Sequence, residues 1–361
     1  MTATIRNLVF EGGGVWGMAY EGVLGVLGER GVLDGVERVA GASAGAITAC
    51  LLAVGYSAAE VGRVVRATNF REFEDDTVGF ARDTARLLTE YGWFKGEVFK
   101  QWIRTRIAEK AAALSGQHGV KGLPARPTFS DLKAWHRRLA NKGVALPALY
   151  MVGTNLSKQR REIYSAEHTR SLKVEDAVRR SMSIPIFFAC ARGANQDVLV
   201  DGGLTWNYPV NLFDHTDYLS DPANGKPVNY ANEPGFVFNT ETLGFRLDTT
   251  DELKWNLKDW HNEPVKIDNF IHYGWALITM MRAVANKIHL HQNDWSRTVF
   301  VDVGKEVGFT DFDLTEAQKN MLSEAGRAGV ANYFRWRDSK KGGAELAKMY
   351  AKMAPGKANR E

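Results

Sequence analysis

Three short stretches of this chain carry residue types that could do chemistry, and each follows an apolar run. The pentapeptide Gly41-Ala42-Ser43-Ala44-Gly45 sets one hydroxyl among small residues. A β-prone run containing Val36, Val39 and Ala40 leads in, and a helix-prone apolar run from Ala46 to Val54 leads out. This is the G-x-S-x-G pattern in a strand–turn–helix setting, which presents a serine on sharply bent backbone as a nucleophile. Gly41 and Gly45 let the strand and helix approach closely. The helix start aims free N–H groups and a positive dipole end at Ser43. A plain β–α turn has the same composition, so the meaning of Ser43 depends on what accompanies it.

The first companion precedes it. Leu8-Val9-Phe10 reads as a buried strand, followed by Glu11 and the run Gly12-Gly13-Gly14-Val15-Trp16-Gly17. A helix then carries Tyr20, Val23, Leu24 and Leu27 on one face and closes near Gly31. A glycine-rich turn between strand and helix offers consecutive N–H groups to an anion. Its letters satisfy G-x-G-x-x-G, so a dinucleotide site has to be weighed. That site needs an acidic residue at the end of the next strand to hold a ribose, whereas here the next strand ends in Gly41-Ala42-Ser43. An anion cradle one strand from an exposed serine suggests an oxyanion hole.

The second companion is Asp201-Gly202-Gly203, which ends the apolar run Val198-Leu199-Val200. Asp and Gly favour turns, so chain reversal accounts for it as readily as catalysis does. In the catalytic alternative the carboxylate takes the proton of a serine during attack, and the glycines admit another backbone. A histidine base is the rival. His215, His289 and His291 follow the serine, but none stands in a motif setting. The His289-x-His291 pair lacks further ligands at metal-binding spacing, so neither metal nor cofactor is expected.

The elements that must position these residues alternate between strand and helix. Helical spacing covers Ser57 to Thr68, Thr77 to Tyr91 and Gly96 to Ala113, followed by a loop from Gly116 to Thr128. Strands are predicted over Ala148 to Leu156 and Arg161 to Tyr164. A short helix, Val174 to Arg180, stops at Ser181-Met182-Ser183-Ile184-Pro185, ahead of the apolar Ile186-Phe187-Phe188. Further strands are expected at Gly235 to Asn239 and Thr298 to Val303, and a last helix at Thr315 to Trp336. The long apolar helix Phe270 to Leu290 could face lipid, and burial against the sheet is the preferred expectation.

Composition sets the outer limits. The chain has 361 residues, 45% hydrophobic and 24% charged, ordinary values for a globular fold. A formal charge of +4, dispersed along the chain, makes no case for nucleic acid. From Arg335 onward eight Lys/Arg face three Asp/Glu, which fits a solvated helical end better than a lipid contact. Two cysteines, Cys50 and Cys190, make no disulfide framework. Met1 to Asn7 is polar, unlike a signal peptide, so a cytoplasmic place is expected, with membrane association or export without a cleaved signal left open. No apolar run reaches the roughly 18 residues a membrane span needs.

Taken in order, Gly12–Gly17, Gly41–Gly45 and Asp201–Gly203 resemble the motifs of the patatin-like phospholipases. Ser181 to Phe188 looks like the segment before that family's aspartate, and the likeness covers about residues 5 to 210. The resemblance implies a three-layer α/β/α sandwich with a mostly parallel central sheet, related to the α/β hydrolases. It implies a catalytic domain over 5–215, with 216–361 completing or capping it and ending in a helical extension. Ser43 would be the acyl-accepting nucleophile, Asp201 its base, and Gly12, Gly13 and Gly14 the oxyanion donors. Gly17, Gly41, Gly45, Gly202 and Gly203 would support the motifs. The implied activity is fatty-acyl ester hydrolysis of the phospholipase A or lysophospholipase type. A regulated or non-catalytic lipid-binding module on the same fold is the alternative. Peripheral membrane contact is left open by either, and any activator stays unnamed. Trp16 departs from the family, many of whose members carry a basic residue there, and it tilts the expected substrate toward a neutral ester.

Overall fold

The structure, a computed structural model, describes residues 4–74, 89–228, 233–255, 266–268, 270–289 and 291–353. Its central sheet contains β1 (Asn7–Phe10), β2 (Arg38–Gly41), β3 (Ala148–Asn155), β4 (Arg160–Ser165), β5 (Ala191–Arg192), β6 (Val198–Asp201), β7 (Thr242–Asp248) and β8 (Thr298–Asp302). The order is β8-β7-β1-β2-β3-β6-β5, with β4 paired to β3. The first five strands of that order run parallel, and β4, β5 and β6 form an antiparallel margin. The central strands read as unbroken apolar runs because both faces are covered. Leu8, Phe10, Val39, Leu149 and Met151 point into the main core. Their alternates Val9, Ala40, Tyr150 and Val152 meet a second layer built from Trp206 to Phe213. The architecture is therefore a mostly parallel sheet with helices and loops on its two sides.

On the main-core side, α1 (Ala19–Glu29) and α2 (Ala44–Ala53) follow β1 and β2 directly, and α2 lies across β1, β2 and β3. All ten residues of α2 are buried, which explains its lack of any polar face. Helix α3 (Val174–Ser181) packs on β3 and α2. A single helical turn, α4 (Gly203–Trp206), follows β6. Beyond it come α5 (Phe270–His289) and α6 (Glu316–Arg337), the latter packed on α1 and β8.

Several sequence expectations shift. The strand sought at Gly235–Asn239 shrinks to Phe238–Asn239, whereas Thr242–Asp248, read as no element, is the strand beside β1. Its Thr, Arg and Asp disguise a strand whose every residue is buried. The expected helix Thr77–Tyr91 falls mostly on 75–88, outside the described residues, and the next helix runs to His118. Burial of α5 against the sheet is not what the structure has. That helix packs on α4 and on Ile186, and its outer face is exposed.

Candidate active site

Strand register does most of the positioning. Phe10, Gly41 and Met151 stand level across β1, β2 and β3, and the glycine loop and the serine turn leave β1 and β2 at that level. Two residues further along β3, Gly153 pairs with Asp201 of the descending strand β6. Strand β6 thus stops head-on against the turn that leaves β2, and residues 158 positions apart line one small cavity with the glycine loop.

The serine turn is strained. Ser43 has φ 51° and ψ −124°, a left-handed backbone that a side-chain-bearing residue adopts only when its surroundings force it. The forcing comes from close packing: a Cβ on Gly41 would lie 2.3 Å from the carbonyl carbon of Gly45. One on Gly45 would lie 2.2 Å from the Phe10 carbonyl oxygen, so larger residues would push the helix off the strand.

The last residue of α3 and the segment after it hold both Ser43 and Asp201. The Ser43 N–H donates to Ser181 Oγ at 3.1 Å, and that hydroxyl donates to the Val152 carbonyl at 2.6 Å. The Ser43 hydroxyl points to Met182 Sδ at 3.4 Å. The Asp201 N–H donates to the Ser183 carbonyl at 2.9 Å. Arg179 anchors this segment from behind, donating to Ser183 Oγ and to the Lys95 and Ala189 carbonyls.

Asp201 is buried. Its Oδ1 accepts the Gly203 N–H at 2.6 Å, and its Oδ2 has no hydrogen-bond partner among the described residues. Burial pushes its pKa up to about 7, against the opposing pull of the Ser43 hydroxyl and the Gly203 N–H. The unpartnered oxygen is an acceptor free to take a proton. A Cβ on Gly203 would meet Asp201 Oδ1 at 2.8 Å, and one on Gly202 would meet the Val152 carbonyl at 2.5 Å, so both glycines are sterically required.

The glycine loop corrects one expectation. The Gly12 N–H is already given to the Asn207 carbonyl at 3.1 Å, which removes it from the set of oxyanion donors. Among the described residues, the Gly13 and Gly14 N–H groups make no hydrogen bond. Gly14 has φ +55°, and a Cβ there would sit 2.0 Å from the Phe309 carbonyl oxygen. Gly17 lets α2 come close, since its Cβ would lie 2.8 Å from that of Ala44. Trp16 is buried, donating Nε1 to the Val307 carbonyl at 2.7 Å, so it braces the loop from behind.

Sequence reasoning missed two members of this site. Asn207 Nδ2 donates to Glu11 Oε1 at 2.8 Å and to the Gly12 carbonyl at 3.0 Å. The other Glu11 oxygen accepts the Leu247 N–H at 2.6 Å, which ties the loop to β7. A charged residue directly after an apolar strand was the visible signal for Glu11, while nothing in the spacing marked Asn207. No histidine lines the cavity among the described residues. His215 pairs with Asp217, His291 caps the turn Gln292–Arg297, and the His289 side chain lies outside the described residues. Among those residues there is no cluster of three metal-ligating side chains.

Known proteins align with this chain. The chain is 26% identical over 332 residues to protein R571 of Acanthamoeba polyphaga mimivirus, covering 90% of this chain and 92% of that one. It is 24% identical over 209 residues to the probable lipid hydrolase 463L of Invertebrate iridescent virus 6, covering 57% of this chain and 62% of that one. The fold matches VipD of Legionella pneumophila with a TM-score of 0.60 at 17% identity, over 92% of this chain and 67% of that one. The profile of the patatin-like phospholipases matches residues 8–214, which contain the serine turn, the glycine loop and Asp201, and the chain belongs to that family.

Proposed function

We propose that this chain is a serine lipid acyl hydrolase of the phospholipase A or lysophospholipase type, working through a Ser43–Asp201 dyad. The observation that carries the proposal is the strained Ser43 in one cavity with a carboxylate whose Oδ2 is unpartnered and with the loop bearing the free Gly13 and Gly14 N–H groups. In the first step Ser43 Oγ bonds to the ester carbonyl carbon while its proton passes to Asp201. The carbonyl oxygen becomes an oxyanion held by the Gly13 and Gly14 N–H groups. Collapse breaks the carbon–oxygen bond to the alcohol, which leaves with the proton from Asp201. Water then attacks the acyl-serine, gives its proton to Asp201, and releases the fatty acid as Ser43 regains a hydrogen. The family membership and the lipid-hydrolase name of the iridovirus relative support a fatty-acyl substrate.

The test is incubation of purified protein with mixed-lipid vesicles, followed by mass spectrometry of the products, with Ser43→Ala alongside. Free fatty acid from wild type alone is expected. Equal release by both proteins, or no labelling of Ser43 by a serine-directed fluorophosphonate, overturns the dyad.

A further inference from the structure

We infer that helix α5 is the surface by which this protein seats on a phospholipid bilayer, with the serine cavity opening beneath it. Tyr273, Leu277, Met280, Met281 and Val284 are 50%, 41%, 60%, 45% and 38% exposed. At about 100° per residue these five positions fall within roughly a quarter to a third of the helix circumference, so they form one stripe. About a quarter turn round the helix and bordering the stripe, Gly274 and Ala285 are buried and Ile278 is half-buried, a narrow inner face of mostly small residues. From Phe270 to Val284 the sequence carries a single charged residue, Arg282. By contrast α6, which packs on α1 and β8 by one face, carries six charged residues from Glu316 to Arg337, none of them buried.

Continuity with the site names the occupant. Ile278, on the inner side of the same helix, lines the cavity that holds Ser43 and Asp201. That cavity measures about 40 Å³, space for a few water molecules and too little for an acyl chain. An acyl chain bound at the serine must therefore extend out of this cavity, and part of the cavity wall is the helix with the apolar outer stripe. Gly274 rests on Ile186, where a Cβ would meet Ile186 Cδ1 at 2.6 Å. Ile186 itself holds a strained φ of 68° and donates its N–H to the carbonyl of Tyr91. Tyr91 is half exposed, with the Arg192 guanidinium 5.3 Å above its ring. The apolar stripe, with an exposed aromatic–cation pair joined to the same helix through Ile186, suits the headgroup boundary of an anionic bilayer. No described helix is long and apolar enough to cross the membrane, so α5 lies in its plane.

This inference rests on the lipid acyl hydrolase reading only for the direction in which substrate arrives, and binding is measured apart from catalysis. The full chain and a Leu277→Asp/Met281→Asp variant are sedimented with vesicles of phosphatidylcholine and phosphatidylglycerol. Hydrolysis of a water-soluble short-chain ester is followed in parallel. The variant should lose vesicle binding on the order of tenfold or more. Its soluble-ester rate should stay within about twofold of wild type, since neither residue lines the cavity. Undiminished vesicle binding by the variant, or no vesicle binding by wild type, overturns the inference. So does a wild-type dimer that the substitutions dissociate, because a second copy then covers the stripe. A wild type that binds vesicles but hydrolyses no ester leaves the docking surface standing and removes the proposed activity instead.

Discussion

The Ser181 hydroxyl accepts the backbone N–H of Ser43 at 3.1 Å while donating to the Val152 carbonyl at 2.6 Å. One buried oxygen thus fixes the Ser43 turn to the strand that faces Asp201. Ser181→Ala would leave a buried donor and a buried acceptor unpaired, costing about 1–3 kcal/mol each way such a group is orphaned. The expected result is a lower denaturation midpoint together with a fall in kcat larger than any rise in KM. Unchanged unfolding in urea would show that the two groups find other partners.

The raised pKa of Asp201 sets a pH profile. In the proposed mechanism Asp201 must be ionised to take the Ser43 proton, so kcat/KM should climb with pH through about 7 and level off above it. Stability runs the other way. Between the ordinary value near 3.8 and about 7, the folded protein keeps a proton that the unfolded chain releases, so stability contributed by this group falls as pH rises through that window. Asp201→Asn should therefore abolish hydrolysis and, at pH 8, unfold at a higher denaturant concentration than wild type. Paired pH-rate and unfolding series check both signs.

Ser43 holds its left-handed backbone at a cost that glycine would not bear. Ser43→Gly is expected to stabilise the fold by about 1 kcal/mol, whereas Ser43→Ala keeps the Cβ and should change stability little. Both should be inactive. Calorimetry of the two variants beside wild type separates the strain from the loss of the hydroxyl.

Gly14→Ala should disable the loop, because the new methyl would sit 2.0 Å from the Phe309 carbonyl at a φ of +55°. A drop of on the order of 10²–10³ in kcat is expected if the displaced N–H is an oxyanion donor. A fluorophosphonate labelling rate measured on the same variant reports whether Ser43 remains accessible.

Three motifs could be found in the sequence because each obeys a local rule: small residues where backbones cross, and a functional group at the end of an apolar run. Ser43, Asp201 and the glycines announced themselves in this way. The partners that hold them did not. Asn207 reaches Glu11 across 196 positions, and Leu247 meets that glutamate across 236, distances over which composition carries no signal. Strand β7 escaped notice for a related reason. Its Arg246 and Asp248 look like surface residues, yet they neutralise each other at 2.7 Å inside the fold. The loss of Gly12 as a donor was equally hidden, since only the position of the Asn207 carbonyl decides it.

Anyone trimming this chain to its motif-bearing part would take away the wall behind the glycine loop. The Phe309 carbonyl takes the Val15 N–H, the Val307 carbonyl takes the Trp16 indole, and Leu247 completes the grip on Glu11. A fragment ending at residue 214 would retain every signature residue and lose the scaffolding that shapes them. By the same route, whatever presses on residues 305–312 from outside presses on the glycine loop through the Val307 and Phe309 carbonyls.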